Sequence, residues 1–286
     1  MPNSLSDGNK KKVAVITMAR NDDFFLTRWI NYYGKELGEE NCYIYLDGED
    51  QPVPKNAGKV NVFHQKRVVQ HVVSFEKTRL GFLSEVAKSL LDRYDLIIGV
   101  DADEFLVVDP KCGKTLVEYL SEIDIDPSVS GLGIDVGQVL GKEDQLDLDL
   151  PFLSQREYAL VSSRYTKPSV ISKPVNWGSG FHRIKGHNFK IDPNLFLFHF
   201  GSVDYKMIQD RFLDKDRMST GREGHIKKRA KTIDIVTKTK AKTDEKWLRI
   251  ARKLQTFFRP IYAWNKPSMA KWKLVVKIPD RFKGIV

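Results

Sequence analysis

YDLIIGVDADEFLVVDP, residues 94–110, is an apolar run that stops abruptly at acids. Leu96 to Val100 is unbroken hydrocarbon, as expected of a strand buried on both faces of a parallel sheet. It ends in Asp101, Asp103 and Glu104, carboxylates that repel one another and are costly to dehydrate. Read as one extended segment, Asp101 and Asp103 point the same way and Glu104 the other. Hard oxygen donors aimed at one point suit a divalent cation such as Mn²⁺ or Mg²⁺, which keeps positions open for phosphate oxygens. The plainer reading is that these acids cap a strand end or a turn.

Upstream, residues 13–18 (VAVITM) form another apolar run, followed by ARNDD with Asn21 or Asp22 as a helix N-cap. Apolar residues at 25, 26, 29, 30, 33 and 37 then fall at helical spacing, ending at Gly38. Residues 42–50 (CYIYLDGED) read as a strand closing in an acidic turn at Asp47, and 59–65 as a third strand. A helix over 75–93 runs through Leu80, Leu83, Ala87, Leu90 and Leu91. This order predicts a mixed, mainly parallel α/β sheet flanked by helices, Rossmann-like in character. In such sheets ligands bind beyond the carboxyl ends of the strands, which places ARNDD, Asp47 and the Asp101 cluster on one rim.

Beyond residue 110 the chain is less regular. KTLVEYLSEI reads as a helix, VSGLGIDVGQVLG as a Gly-punctuated strand and loop, SKPVNWGSGFHRIKGH as loop, and NLFLFHFGS as a short strand. Two helices are expected at 204–218 and 243–258, the second within a Lys/Arg-rich tail. The expected division is a flexible 1–12, a main domain over 13–220 and a basic helical extension over 221–286.

The 286 residues are 41% hydrophobic and 29% charged, a balance that excludes a disordered chain. No apolar run approaches the roughly 18–20 residues that cross a bilayer. The N-terminus lacks the apolar stretch of a secretory signal, so a cytoplasmic protein is expected. Cys42 and Cys112 stand apart without metal-ligand spacing and read as free thiols. The formal charge of +10 points to anionic partners: nucleic acid, phosphorylated small molecules or an anionic membrane surface. No recognised DNA or RNA motif is present, so nucleic acid is not the expected partner.

These features together resemble the nucleotide-sugar-dependent glycosyltransferases of the GT-A fold, and within them the bacterial family-2-like group with its family-92 relatives. The likeness is carried by ARND after the first strand, YLDGED, DADEF, KPVNWGSGFH and LFLFHFGSVDYK, and runs from about residue 13 to 215. It implies that Asp101 and Asp103 hold Mn²⁺ or Mg²⁺ on the donor's diphosphate, with His199 completing the shell and His182 the second choice. Arg20, Asn21 and Asp47 would line the nucleotide pocket, with Asp101, Arg79 and Lys206 also reaching the donor. The implied donor is a nucleotide sugar, a UDP-sugar first, and the acceptor a glycan or a lipid-linked sugar of bacterial surface polysaccharide.

Inverting transfer also needs a carboxylate base. The segment after the metal strand offers Glu143 or Asp144, with Asp135 next. Trp177 is available to stack on a sugar or to pack in the core, and Lys173 and Arg183 to touch phosphate. A sugar-phosphate nucleotidyltransferase is the other enzyme reading, although TMARNDDFF lacks the Gly-rich loop expected there. A phosphatase of the haloacid-dehalogenase type is disfavoured because its D-x-D lies on the first strand, before Gly-Thr. In the tail, Trp247, Leu248, Ile250, Ala251, Leu254 and Phe258 share a helical face that would lie on an anionic membrane or pack on the domain.

Overall fold

The computed structural model describes residues 10–67, 72–188, 190–213, 223–258 and 273–286. Strand β1 (Val13–Ala19) is apolar and almost wholly buried, and it lies between β2 (Cys42–Asp47) and β4 (Leu96–Gly99), parallel to both. Strand β3 (Asn61–Gln65) adds to β2, also in parallel. Helix α1 (Asp23–Leu37) covers one face of this half-sheet with Phe25, Trp29, Ile30 and Tyr33. Helix α2 (Val72–Leu90) covers the other with Leu80, Leu83, Ala87 and Leu90. The α/β architecture expected from residues 13–99 is present, with these four strands parallel and the sheet mixed beyond them.

The expected single strand over 94–110 is two. The chain leaves β4 at Val100, turns through Asp101–Asp103, and begins β5 (Glu104–Val108), which pairs antiparallel with β9 (Lys190–Ser202). The turn is closed by Glu104 N–H donating to the Asp101 carbonyl at 3.0 Å and by the Glu104 carboxylate accepting from Asp101 N–H at 3.1 Å. Alternation therefore does not govern where Asp101 and Asp103 point.

Helix α3 (Leu116–Glu122) starts at a capping box between Thr115 and Glu118. Strand β6 (Ser128–Gly137) is buried throughout and joins the halves of the sheet, running parallel to β9 and antiparallel to β7 (Tyr158–Val161) and β8 (Val170–Ile171). The short α4 (Phe152–Gln155) precedes β7. Helix α5 (Tyr205–Leu213) begins where expected, and 214–218 of that expectation lie outside the described residues.

After residue 220 the described residues pack on the sheet. Helix α6 (Glu223–Lys238), which periodicity did not reveal, packs on α5, β6, β7 and β9. Helix α7 (Lys246–Phe257) turns Leu248 and Ala251 into the main core, while Phe257 and Phe258 at its end are exposed. Strand β10 (Val275–Lys277) pairs with β7 at the sheet edge, and Phe282 is fully buried against Phe196 and Phe198. These segments add a strand to the sheet and side chains to its core. Among the described residues no helix is long and apolar enough to cross a membrane.

Candidate functional site

The carboxyl ends of β1, β2 and β4 open onto one cleft. Arg20 and Asp22 reach it from the β1–α1 loop, Asp47 from the end of β2, Arg79 from α2, and Asp101 and Asp103 from the β4–β5 turn. The rim expected from sequence is a single cleft. Gly48, at φ +127, follows Asp47 in the left-handed region; a Cβ there would stand 2.4 Å from Arg20 Nη1. That space lets Arg20 donate to the Asp47 carbonyl at 2.7 Å while gripping both carboxylate oxygens of Asp50 at 2.9 and 2.8 Å.

Asp101 is held between two cations. One oxygen accepts from Arg79 Nη2 at 2.6 Å and the other from Lys167 Nζ at 2.9 Å. Burial works against ionisation, yet Lys167 and Arg79 hold its carboxyl well below the usual range. Lys167, only 1% exposed, also lies 2.5 Å from Glu104, and these two carboxylates keep it charged where burial alone would neutralise it. A completely buried Glu104 is pushed upward chiefly by burial, with Lys167 opposing.

Asp103 faces a different group. Its Oδ2 lies 2.5 Å from Arg229 Nη2 on α6 and 3.6 Å from His199 Nε2 on β9. His199 Nδ1 donates to Asp135 Oδ1 at 2.7 Å, Thr232 donates to the other Asp135 oxygen at 2.8 Å, and Tyr165 stacks on the imidazole at 3.7 Å. With Nδ1 committed to Asp135, Nε2 is the ring nitrogen turned toward Asp103.

Asp103 and His199 would be the two donors to a small divalent cation, which would have to displace Arg229 from the shared Asp103 oxygen, with Asp135 orienting the histidine. Asp101 is not a donor, because both its oxygens are engaged by Arg79 and Lys167. Among the described residues no group of three or more His, Cys, Asp or Glu is placed to hold a metal. The expected set Asp101–Asp103–His199 is thus corrected to a pair, and further ligands would have to come from substrate or water.

His182 also lines the cleft, and its Nδ1 donates to the Arg164 carbonyl at 2.7 Å. Burial first, and then the charges of Lys167 and Arg164, hold its pKa well below the usual value, so it is neutral.

Several expected residues are not among those that line the cleft. Asn21, at φ +50, shapes the β1–α1 loop: its N–H donates to Gln51 Oε1 at 2.8 Å and its side-chain oxygen accepts from Gln51 at 3.0 Å. Lys206 pairs with Asp210 on the exposed side of α5. Glu143 fastens a corner by accepting from the N–H groups of Val139 at 2.7 Å and Glu157 at 2.8 Å, and Asp144 is exposed on that corner. Asp135 spends both oxygens on His199 and Thr232. Trp177 is core: it is 3% exposed, packs edge-on against Phe181 and donates to the Pro168 carbonyl at 2.9 Å. Lys173 pairs with Asp126, and Arg183 is exposed.

Sequence reasoning missed Arg164, Tyr165, Lys167, Lys228 and Arg229. The first three lie in RYTKPS, whose Lys-Pro step was legible but was passed over for the one at Lys173. The last two sit on the unrecognised α6.

No protein-family model matches the chain, and no curated protein matches it. Among solved structures, a mannose-1-phosphate geranyltransferase from Thermus thermophilus aligns with a TM-score of 0.30 and 10% identity, over 74% of this chain and 64% of that one. The chain therefore spans less than two thirds of that structure's length. A likeness at this score adds nothing to the strand order described above.

Proposed function

We propose that the chain is a transferase that binds a nucleotide sugar, a UDP-sugar first, and passes the sugar to a hydroxyl of a glycan or lipid-linked acceptor. One observation carries the reading: Asp47, Arg79, Asp101 and Asp103 meet in a single charged cleft at the carboxyl ends of adjacent parallel strands. In the reaction the bond between the anomeric carbon and the diphosphate oxygen breaks, and its electron pair leaves with the diphosphate. The acceptor oxygen forms the new bond, and its proton passes to a base at the cleft. Glu143 and Asp144 are not carried forward as that base, because neither lines the cleft.

The chain's own cations counter the charge that develops on the leaving group. Mn²⁺ or Mg²⁺, when bound, would be held by Asp103 and His199 and would supply further positive charge to the diphosphate. A cytoplasmic place of action, as expected from the sequence, goes with this reading.

The test is a panel of nucleotide sugars examined by calorimetry with Mn²⁺ and then with excess chelator, followed by product analysis. Binding of one donor and release of its free nucleoside diphosphate on transfer is the expected result. Release of pyrophosphate from a nucleoside triphosphate and a sugar phosphate would replace it with the nucleotidyltransferase reading. A panel with no binding at all would overturn both.

A further inference from the structure

The acids of the cleft are largely consumed by cations of the fold. Asp101 is held by Arg79 and Lys167, Asp103 by Arg229, Glu76 by Arg79 at 3.4 Å, and Asp22 by Arg211 at 3.0 Å. Arg164 and Lys228 line the same cleft, and neither has an acidic partner among the described residues. They come from different elements, the turn after β7 and helix α6, yet both line one cleft. Lys228 is pulled below the usual lysine pKa by burial and then by the charge of Arg164. Two like charges lining one concave surface raise each other's energy, and a bound anion offsets that cost.

Arg229 lines the same cleft. Gly201 leaves room for it: a Cβ at that position would stand 2.6 Å from Arg229 Nε and 2.6 Å from His199 Cε1. The guanidinium thus lies against the strand that carries His199 and reaches Asp103, in the cleft that Arg164 and Lys228 also line.

We propose that Arg164 and Lys228, with Arg229 alongside, form the subsite that takes the phosphate groups of the substrate. They do so as fixed cations of the chain, so the diphosphate is gripped whether or not a metal is bound. The inference rests on the cleft being a nucleoside-diphosphate site, and it goes beyond the resemblance, since α6 lies outside the residues that carry it.

The experiment is calorimetry with inorganic pyrophosphate and with UDP, both in excess chelator, on the full chain and on Arg164→Gln, Lys228→Gln and the double variant. Lys253→Glu on the exposed side of α7 serves as the charge control. Circular dichroism and melting temperature verify folding. The wild type should bind both probes with an affinity that falls as salt rises. Each single variant should weaken both probes several-fold and the double variant by about tenfold or more, while the control remains within about twofold of wild type.

If UDP binds and the double variant matches wild type, the subsite is wrong while the nucleotide reading survives. If pyrophosphate binds through Arg164 and Lys228 but UDP and nucleotide sugars gain nothing over it, the subsite stands and the nucleotide reading fails. Binding of both probes that appears only when Mn²⁺ is restored would overturn the proposal in favour of a metal-held diphosphate.

Discussion

Lys167 is the residue on which the β4–β5 turn depends. Its ammonium is almost without solvent and lies between Asp101 and Glu104, so removing it leaves two dehydrated carboxylates facing each other. Arg79 would still hold Asp101, but Glu104 would have no cation in its place. Lys167→Met should therefore cost about 3–5 kcal/mol, the scale for breaking one side of a buried ion pair. Urea denaturation measures it. Adding Glu104→Gln removes the charge that has lost its counterion, so the double variant should recover part of that loss. If Lys167→Met is as stable as wild type, the ion-pair account of this turn is wrong. The acids noticed first in the sequence are thus a structural knot at Asp101 and Glu104, with Asp103 alone facing His199 and Arg229.

At the scale of elements, the half of the fold built from local βαβ units was legible and the other half was not. Apolar runs at 13–18, 42–47 and 96–100 announce central strands because burial on both faces leaves an unbroken apolar pattern. Nothing local announces that the chain turns at Asp101–Asp103. That turn is decided by the pairing of β5 with β9, some ninety residues later in the sequence. Helix α6 escaped for a related reason: EGHIKKRAKTIDIVTK carries four Lys and one Arg among its sixteen residues, and only Ile226, Ile233 and Val236 are buried hydrophobics on it. The rim at Arg20, Asp47 and Asp101 could be read, because strand ends are local; the cationic wall could not.

The ties between elements are testable at Arg281. Its guanidinium forks onto Asp109 after β5, at 2.6 and 2.8 Å, and reaches Glu245 before α7 at 2.6 Å. Burial raises the Asp109 pKa, but Arg281 and the Lys111 N–H outweigh it and hold the carboxyl below its ordinary value. A depressed carboxylate stabilises the fold above its unfolded pKa of about 3.9, and that contribution is lost as pH falls through the lower folded value. Arg281→Ala should cost about 2–3 kcal/mol at neutral pH. Its deficit should shrink as pH drops below about 4. Chemical denaturation at several pH values gives the curve, and a deficit unchanged down to pH ~2.5 would remove the pair from the account.

For the whole molecule, the consequence of the late segments is that 273–286 cannot be treated as an accessory. Phe282 is fully buried between Phe196 and Phe198, and Phe282→Ala should cost about 3–5 kcal/mol by calorimetry or urea melts. A cost under about 1 kcal/mol would mean that this end of the chain is only laid on the surface. The same packing bears on the membrane expectation for the tail. Leu248 and Ala251 face inward, Phe257 and Phe258 are exposed, and residues 259–272 of that segment lie outside the described residues. The edge strand β10 also sets a schedule for biosynthesis. β7 leaves the ribosome at residue 161 and waits for a partner that is made only at 275. At ordinary translation speeds of about 5–20 residues per second, that delay is roughly 6–23 s. For that interval the nascent chain carries an unpaired strand edge, the template on which polypeptides aggregate. Closing that edge therefore waits until residue 275 has been made, and slowing synthesis between residues 161 and 275 should lengthen the demand for a chaperone.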